Sequence, residues 1–347
     1  MKLSVVMPCF NAGKYLREML DSCLNQTFQD WELILVDDQS TDTITRNIIE
    51  EYSNKDARLK VLYRNREPKG GNTCRNIGIS QARGQYLMVL DADDILSPTC
   101  FEKRVAFMEA NQDCDYASFP ATSFFSGNNP FSEEGKMGVF GVPTKGESLI
   151  SDLLCLNYPF CVWTNIYRCS KVQNLEWDEK VSVLQDFDWM LSCCLAELRQ
   201  KYASNYEIDY FYRQFNDGSN VCADFSSDVK CNSTIYLTQK TFERVSRLNN
   251  KTEKANFISF VFLQVYRILQ GEKRDNAIRY IDSLKFMPIP LRNRLFRITD
   301  KILKKRTKYD SLRLSLYFMT ISPKLFWKRA AYSVRDLILG YGNIYYK

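Results

Sequence analysis

The sequence predicts an α/β fold with a mostly parallel, mixed sheet flanked by helices, because β-rich runs alternate with helical periodicity and polar groups follow three of the runs. The predicted strands are residues 3–7, 33–36, 59–63 and 86–90. The predicted helices are residues 15–24, 44–52 and 72–82, the second behind the capping candidates Ser40 and Thr41. Ligands of such sheets bind beyond the carboxyl ends of the strands, so the residues after each run are candidates for function.

The last third of the sequence is helical from about Lys230 onward and strongly basic. Residues 291–335 contain thirteen Lys or Arg and two Asp, a net charge of +11, interleaved with aromatic and aliphatic residues. We therefore expect an α/β domain over 1–225 and a helical, basic region over 226–347. That region is either a packing appendage or a set of interfacial helices on an anionic membrane surface. Nucleic acid is disfavoured as a partner, because no recognition motif accompanies the charge.

The absence of histidine narrows the chemistry. It removes the commonest general base and the commonest transition-metal ligand, so a proton acceptor is expected to be a carboxylate. A metal would be held by oxygen, which favours Mg²⁺ or Mn²⁺ over zinc.

The compartment is predicted from the first residues and the cysteines. The apolar stretch at the start is too short for a secretory signal and has no small-residue cleavage site. The twelve cysteines are scattered and form no Cys-x-x-Cys pair, as expected for reduced thiols. We therefore expect a cytoplasmic protein.

An acidic cluster follows the buried run at 86–90. Asp91, Asp93 and Asp94 would repel one another there unless a cation lies between them. Alternate residues of an extended segment face one side, so Asp91 and Asp93 could share a metal ion that Asp94 supports or contacts. The alternative is an acidic turn before a helix that Pro98 opens.

Polar groups also follow the first two strands, as Pro8-Cys9-Phe10-Asn11 and Asp37-Asp38-Gln39-Ser40-Thr41-Asp42. The alternative for the second segment is turn and capping chemistry, which these residue types often perform. A Gly-rich stretch, residues 69–76, places Arg75 at a predicted helix start, which suits a phosphate. No Walker loop is present, which argues against ordinary NTP hydrolysis.

These segments, in this order, resemble the inverting family 2 glycosyltransferases with the A-type, nucleotide-diphospho-sugar transferase-like fold. The resemblance covers about residues 3–220. The matching segments are Ser4 to Asn11, Gln26 to Phe28, Trp31 to Asp42, Arg75 to Gly78, Leu90 to Asp94, Val162 to Arg168 and Gln185 to Trp189.

The resemblance implies a donor site that includes Pro8, Phe10 and Asn11 at the base and ribose. Asp38 would hydrogen-bond the base edge and Asp37 would support it. The other implied donor and metal residues are Arg75 at the diphosphate or ribose, its neighbour Asn76, Asp91 or Asp93 at the ribose and metal, and Asp93 or Asp94 at the metal.

The resemblance also implies a catalytic base and shows two departures from the family pattern. The base would be Asp186, with Gln185 where the family has Glu, and Asp188 is the reserve candidate. The family often has a histidine after its Tyr-Arg pair, and Phe215 stands there. Arg213 could still neutralise phosphate charge.

The expected activity is a metal-dependent, inverting transfer of a hexose from a nucleotide sugar, with UDP implied by the resemblance. The acceptor would be a hydroxyl on a growing glycan or a lipid-linked saccharide, in surface polysaccharide synthesis. One base and one cation suffice for this reaction. A sugar nucleotidyltransferase would need a Gly-rich triphosphate loop near the first strand. A non-catalytic carbohydrate-binding or scaffold protein is the alternative if Gln185 and Phe215 mark lost activity.

Overall fold

The structure, a computed structural model, describes residues 1–132, 136–140, 148–155, 161–215, 227–270 and 274–304. The chain divides into two compact units. The first spans 1–145, 158–179 and 185–217, and the second spans 146–157, 180–184 and 218–347. The predicted boundary between residues 225 and 226 lies outside the described residues, so the division into 1–225 and 226–347 stays a prediction.

The first unit contains two sheets. Its strands are β1 (Leu3–Cys9), β2 (Trp31–Asp37), β3 (Leu59–Tyr63), β4 (Tyr86–Val89), β5 (Ile95–Leu96), β6 (Tyr116–Ser118), β7 (Ala121–Phe125), β8 (Lys136–Phe140), β9 (Asn165–Arg168), β10 (Gln200–Tyr202) and β11 (Tyr210–Gln214). The larger sheet has the order β10-β6-β9-β4-β1-β2-β3, and the smaller has the order β5-β11-β7-β8.

The larger sheet is mixed. Strands β4, β1, β2 and β3 run parallel to one another, whereas β9 is antiparallel to both β4 and β6. Every residue of β2 is buried, as expected for a parallel strand covered on both faces. The predicted α/β fold with a mostly parallel, mixed sheet is confirmed.

Helices connect and cover these strands. They are α1 (Leu16–Leu24), α2 (Thr43–Lys55), α3 (Gly71–Gln81), α4 (Cys100–Ala110), α6 (Cys169–Val172) and α7 (Gln185–Leu195), with α5 (Leu149–Leu154) in the second unit. The α3 helix packs closely on the sheet at Gly78, where an added Cβ would lie 2.5 Å from Val6 Cγ1. That contact fixes the height of α3 above β1.

The start of α2 differs from the prediction. Its N-cap is Asp42, whose carboxylate accepts a hydrogen bond from the Thr45 N–H at 2.7 Å. The predicted caps, Ser40 and Thr41, are wrong, because the Ser40 hydroxyl bonds Asp37 and the Thr41 N–H bonds Asn11.

The strand register brings the functional loops to one edge. Cys9 at the end of β1 lies opposite Asp37 at the end of β2, and Val6 lies opposite Val89 in β4. The residues that follow β1, β2 and β4 therefore leave the sheet on the same side.

The second unit is helical, and a helical C-terminal region is confirmed. Besides α5 it contains α8 (Asp228–Ser246), α9 (Lys251–Gln270), α10 (Arg274–Ser283) and α11 (Ile289–Lys304). Ser227 is the N-cap of α8, and its hydroxyl accepts a hydrogen bond from the Lys230 N–H. Across the helices of the described ranges, none is both long enough and apolar enough to cross a bilayer. The part of the +11 segment after Lys304 lies outside the described residues.

Candidate active site

The loops that follow β1 and β2 are tied together at the carboxyl edge of the sheet. The Asn11 side-chain oxygen accepts hydrogen bonds from the N–H groups of Thr41, at 2.8 Å, and Asp42, at 3.2 Å. The Asn11 N–H donates to the Ser40 hydroxyl at 2.9 Å. Asn11 has a φ of +49°, which asparagine tolerates better than most residues. The side-chain oxygen of this predicted base and ribose contact is thus engaged in shaping the loop.

Phe10, predicted to line the same pocket, is 42% exposed. The Lys69 ammonium lies 3.5 Å from the centroid of its ring, a favourable cation–π contact. Pro8, the third predicted residue of this group, is partly buried within β1. One face of the Phe10 ring is therefore covered by a residue of the Gly-rich stretch, a pairing that the sequence did not indicate.

The two acids after β2 have separate partners. Asp37 is 2% exposed and accepts hydrogen bonds from both the N–H, at 3.0 Å, and the hydroxyl of Ser40. Asp38 is also buried and forms an ion pair with the Arg64 guanidinium through its Oδ1. Asp37 thus holds the loop that carries Asp38. Sequence reasoning missed Arg64, which follows β3 and had no motif to mark it.

Arg75 on α3 contacts several other residues of the candidate site. Its Nη1 donates to Asn72 Oδ1, at 3.0 Å, and to Gln185 Oε1, at 2.7 Å. Its Nη2 donates to Asp91 Oδ1 at 3.2 Å, and its Cζ lies 4.6 Å from the centroid of the Trp177 ring. Its Nε is buried and has no partner within the described ranges. These contacts fix the guanidinium in place.

Asn76 has a structural set of partners. Its side chain donates to the Trp177 carbonyl at 2.9 Å and to Glu179 at 2.8 Å, and it accepts from the Trp177 N–H at 2.9 Å. Asn76 therefore holds the segment that carries Trp177, the ring on which Arg75 lies. Its predicted place in the donor site stays a prediction.

The acidic loop between β4 and β5 contains three carboxylates in different surroundings. Asp91 is partly exposed and pairs with Arg75. Asp94 is 0% exposed, and its two oxygens accept hydrogen bonds from the Tyr210 hydroxyl, at 2.6 Å, and the Arg213 N–H, at 2.8 Å. The structure thus engages both Asp94 oxygens with β11, and its predicted direct contact with a metal stays a prediction.

Burial and mutual repulsion change the protonation of this loop. Burial, with a smaller contribution from the Asp91 charge, raises the pKa of Asp93 to about 6. Burial, then the charges of Asp93 and Asp91, raise the pKa of Asp94 well above its usual range. A cation bound beside the loop would favour the ionised forms.

Arg213 on β11 is almost fully enclosed, with 3% exposure. Its Nε donates to the Asp93 carbonyl at 2.6 Å, and its Nη2 donates to Glu18 Oε2 at 2.7 Å. Its Cζ lies 4.5 Å from the Tyr15 ring centroid and 4.8 Å from that of Phe124. The structure places Arg213 against the acidic loop, and its contact with phosphate stays a prediction.

Asp186, the predicted base, lies in the first turn of α7 beside Arg75 and Asp91. Burial raises the pKa of its carboxyl to about 6, and the Asp91 charge adds to this. The Arg75 charge and a hydrogen bond from the Val162 N–H act in the opposite direction. The structure therefore brings Asp186, Arg75 and Asp91 into one electrostatic neighbourhood, although 95 residues separate Asp91 from Asp186.

Two further predicted positions are defined by packing. Asp188, the reserve candidate, is 4% exposed and lies in the same helix. Phe215, at the position of the family histidine, stacks on Tyr15 with ring centroids 5.2 Å apart. Tyr15 also contacts the Arg213 guanidinium, so Phe215 helps to enclose that side chain.

The fit of a divalent cation depends on Asp91 and Asp93. Within the part of the chain that the structure describes, no three His, Cys, Asp or Glu side chains are grouped so that they could hold a metal ion. A cage of three carboxylates is therefore not supported. Asp91 and Asp93, of which the first raises the pKa of the second, would fit a site in which Mg²⁺ or Mn²⁺ takes its remaining oxygens from phosphates and water.

Comparisons with known proteins identify relatives. The family model for glycosyl transferase family 2 matches residues 4–175. The chain is 30% identical over 209 residues to an uncharacterized glycosyltransferase of Methanocaldococcus jannaschii, covering 60% of this chain and 70% of that protein. It is 29% identical over 226 residues to the minor teichoic acid biosynthesis protein GgaB of Bacillus subtilis. That match covers 63% of this chain but only 23% of GgaB.

A solved structure shares the fold. The crystal structure of residues 1–349 of S. aureus TarS in complex with UDP-GlcNAc aligns with a TM-score of 0.63. The alignment covers 88% of this chain and 92% of that one at 19% identity, so it shows likeness of fold alone.

The resemblance seen in the sequence is confirmed by these matches. The segments that suggested it, from Ser4 to Arg168, lie within the residues that the family model matches, while Gln185 to Trp189 lie beyond them. The family match and the archaeal relative, of which 70% is covered, show that the chain belongs to glycosyl transferase family 2, a family of glycosyltransferase enzymes.

Proposed function

We propose that this chain is an inverting transferase that moves a hexose from a UDP-linked donor to a hydroxyl of a growing glycan or a lipid-linked saccharide. The main support is the meeting of Asp186, Arg75 and Asp91 at the carboxyl edge of the sheet. TarS, the structural neighbour, binds UDP-GlcNAc, and the name of GgaB concerns teichoic acid biosynthesis. The first supports a UDP-linked donor, and the second supports a role in surface polysaccharide synthesis.

The reaction requires one base. The acceptor oxygen forms a bond to the anomeric carbon as the bond between that carbon and the diphosphate oxygen breaks on the opposite face, which inverts the configuration. Asp186 takes the hydroxyl proton, and the electron pair of the broken bond leaves on the nucleoside diphosphate. A pKa of about 6 leaves Asp186 mostly ionised at neutral pH yet more basic than an exposed carboxylate. General bases contribute roughly 10²–10⁴-fold to rate.

Charge on the leaving diphosphate also requires stabilisation. Arg75 supplies a fixed positive charge, and its orientation is set by Asn72, Gln185 and Trp177. Asp91 and Asp93 would hold Mg²⁺ or Mn²⁺, with Asp94 supporting the loop. When bound, the cation would supply Lewis-acid stabilisation of the departing phosphates.

The C-terminal region supports a place at the membrane. A net charge of +11 over residues 291–335, mixed with large apolar residues, is typical of segments that bind anionic lipid headgroups. We propose that this segment keeps the chain at the cytoplasmic face of the membrane, where lipid-linked saccharides are found.

The decisive experiment compares two isosteric variants. We expect Asp186→Asn to abolish transfer from UDP-sugars, because the amide cannot accept the proton, while UDP binding measured by calorimetry stays within about twofold of wild type. Asp188→Asn is the matched control on the same helix and should retain turnover. Near wild-type turnover of Asp186→Asn would refute the assignment, and loss in Asp188→Asn alone would move the base to Asp188.

A further inference from the structure

Strand β11 is bonded to the acidic loop at three points. The Tyr210 hydroxyl and the Arg213 N–H donate to the two oxygens of Asp94, at 2.6 Å and 2.8 Å. The Arg213 Nε donates to the Asp93 carbonyl at 2.6 Å. These bonds fix both the backbone and one side chain of a segment whose carboxylates repel one another.

The Arg213 guanidinium is in turn fixed from α1. Its Nη2 donates to Glu18 Oε2 at 2.7 Å, and its plane is enclosed by the rings of Tyr15 and Phe124. Arg213 is 3% exposed, whereas the Glu18 side chain is 53% exposed. An enclosed guanidinium of this kind is held in one orientation by its partners rather than left free to follow a ligand.

We propose that Glu18, Arg213 and Tyr210 are positioning residues that hold the loop at Asp91–Asp94 in its binding conformation. In this role Arg213 acts through the loop and does not itself contact the donor phosphates. The inference rests on the proposed function, since it is the nucleotide and cation that the loop would receive. It adds Glu18, on the first helix, to the residues on which donor binding depends.

The physical reason is electrostatic. Asp94 is fully buried, so its two carboxylate oxygens require hydrogen-bond donors, and those donors keep the loop from rearranging. The buried hydrogen bonds from β11 supply them, and Glu18 keeps the Arg213 fork aimed at the loop.

The opposite hypothesis makes Arg213 a phosphate ligand for which Glu18 competes. The two hypotheses predict opposite changes in UDP affinity when Glu18 is replaced by alanine. If Glu18 competes with phosphate, Glu18→Ala frees the guanidinium and strengthens UDP binding. If Glu18 positions Arg213, Glu18→Ala loosens the loop and weakens UDP binding.

The first test uses the full chain without ligand. Hydrogen–deuterium exchange of residues 91–96 should accelerate about threefold to fivefold in Glu18→Ala, the size expected from losing a half-exposed ion pair. Glu51→Ala is the control, because it removes the Arg17–Glu51 pair, also 2.7 Å long and starting from the same helix, without touching the loop. Unchanged exchange at 91–96 in Glu18→Ala would overturn the inference whether or not the protein binds a nucleotide.

The second test measures UDP binding in the presence of Mn²⁺. We expect binding about threefold to fivefold weaker in Glu18→Ala, unchanged in Glu51→Ala, and also weaker in Tyr210→Phe, which removes one bond to Asp94. Arg213→Lys should weaken binding as well, because a single ammonium cannot replace the fork. Tighter binding in Glu18→Ala would contradict the inference. Absence of UDP binding in the wild type would instead refute the proposed donor, and the exchange experiment would still decide the inference.

Discussion

At the scale of single residues, the candidate site is a set of charges whose positions determine their protonation. Asp186 and Asp93 both have a pKa of about 6, and burial is the main cause in each case. Arg75 opposes this shift at Asp186, and Arg213 opposes it at Asp93. Each of these partly buried carboxylates therefore has a cation beside it that keeps the ionised form accessible near neutral pH.

The pH dependence of transfer follows from Asp186. A base works only when it is deprotonated, so a folded-state pKa raised to about 6 means that activity is lost as pH falls through 6 and levels off above it. We expect the acid limb of kcat/KM to have an apparent pKa near 6, measured with a UDP-sugar at saturating Mn²⁺. An acid limb with an apparent pKa near 4, the value of an exposed aspartate, would contradict the proposed effect of burial on Asp186.

The effect of replacing Asp93 on UDP binding should depend on whether a divalent cation is present. We expect Asp93→Ala to weaken UDP binding in Mn²⁺ and to leave it nearly unchanged in EDTA, because the lost group is a cation ligand. Asp94→Ala is the contrasting variant and should weaken binding in both conditions, since Asp94 bonds Tyr210 and Arg213. Equal loss with and without metal in Asp93→Ala would point to structural damage instead.

At the scale of elements, the packing of α3 on β1 determines the position of Arg75. The closest approach is at Gly78, where a Cβ would lie 2.5 Å from one Val6 methyl carbon and 3.3 Å from the other. Val6 is fully buried, so it has little room to move. The helix can pack this close to the sheet because residue 78 has no side chain.

A single methyl group tests that packing. We expect Gly78→Ala to destabilise the fold by about 1–3 kcal/mol, the range for overpacked cores, and to lower the Tm in thermal unfolding. Ser80→Ala, exposed on the same helix, is the control and should stay close to wild type. The double variant with Val6→Ala should recover part of the loss if the clash with Val6 is its cause. A stability equal to wild type in Gly78→Ala would refute the close approach.

Elements also explain which local predictions failed. Asp42 caps α2, although Ser40 and Thr41 are equally good capping residue types. Asp37 engages the Ser40 hydroxyl and Asn11 accepts from the Thr41 N–H, so Asp42 is left to cap the helix. The Thr41 contact depends on Asn11, 30 residues earlier in the chain, which the local sequence does not contain.

At the scale of the whole molecule, the charge is divided between a basic segment and a more acidic remainder. Residues 291–335 have a net charge of +11 in a chain of +6 overall. Of this segment, the structure describes the part within α11, where Leu295 is buried and Arg297 is exposed. The apolar side chain Leu295 is therefore packed within the protein, and exposed cations such as Arg297 are what this helix could offer to anionic lipid.

Membrane attachment predicts a salt-dependent affinity. We expect the full chain to sediment with vesicles containing phosphatidylglycerol and not with phosphatidylcholine alone, and to be released as salt is raised. Replacing Lys304, Lys305 and Arg306 by Gln should weaken the binding by about 1 kcal/mol per charge. Replacing Lys14, Arg46 and Lys55 instead is the matched control. Equal losses of vesicle binding in the two triple variants would show that net charge alone accounts for the binding. Absence of vesicle binding by the wild-type chain would refute the proposal.

The sequence by itself determined the fold class and the position of the candidate site. Periodicity indicated which runs are strands and which are helices, and the carboxyl ends of parallel strands meet at one edge whatever the remaining details. The acidic residues after β2 and β4 were found for that reason. The Gly-rich stretch indicated Arg75, and the motif resemblance then added Asp186, which is far from Arg75 in the chain.

Only the tertiary structure decided which partner each of these groups has. Asp38 pairs with Arg64, Arg75 with Gln185 and Trp177, and Arg213 with Glu18, and none of these pairs is local in sequence. A carboxylate, an amide or a guanidinium can serve a ligand or another side chain equally well. Which of the two it serves depends on distances of a few ångströms between elements, and those distances are set by packing of the complete core.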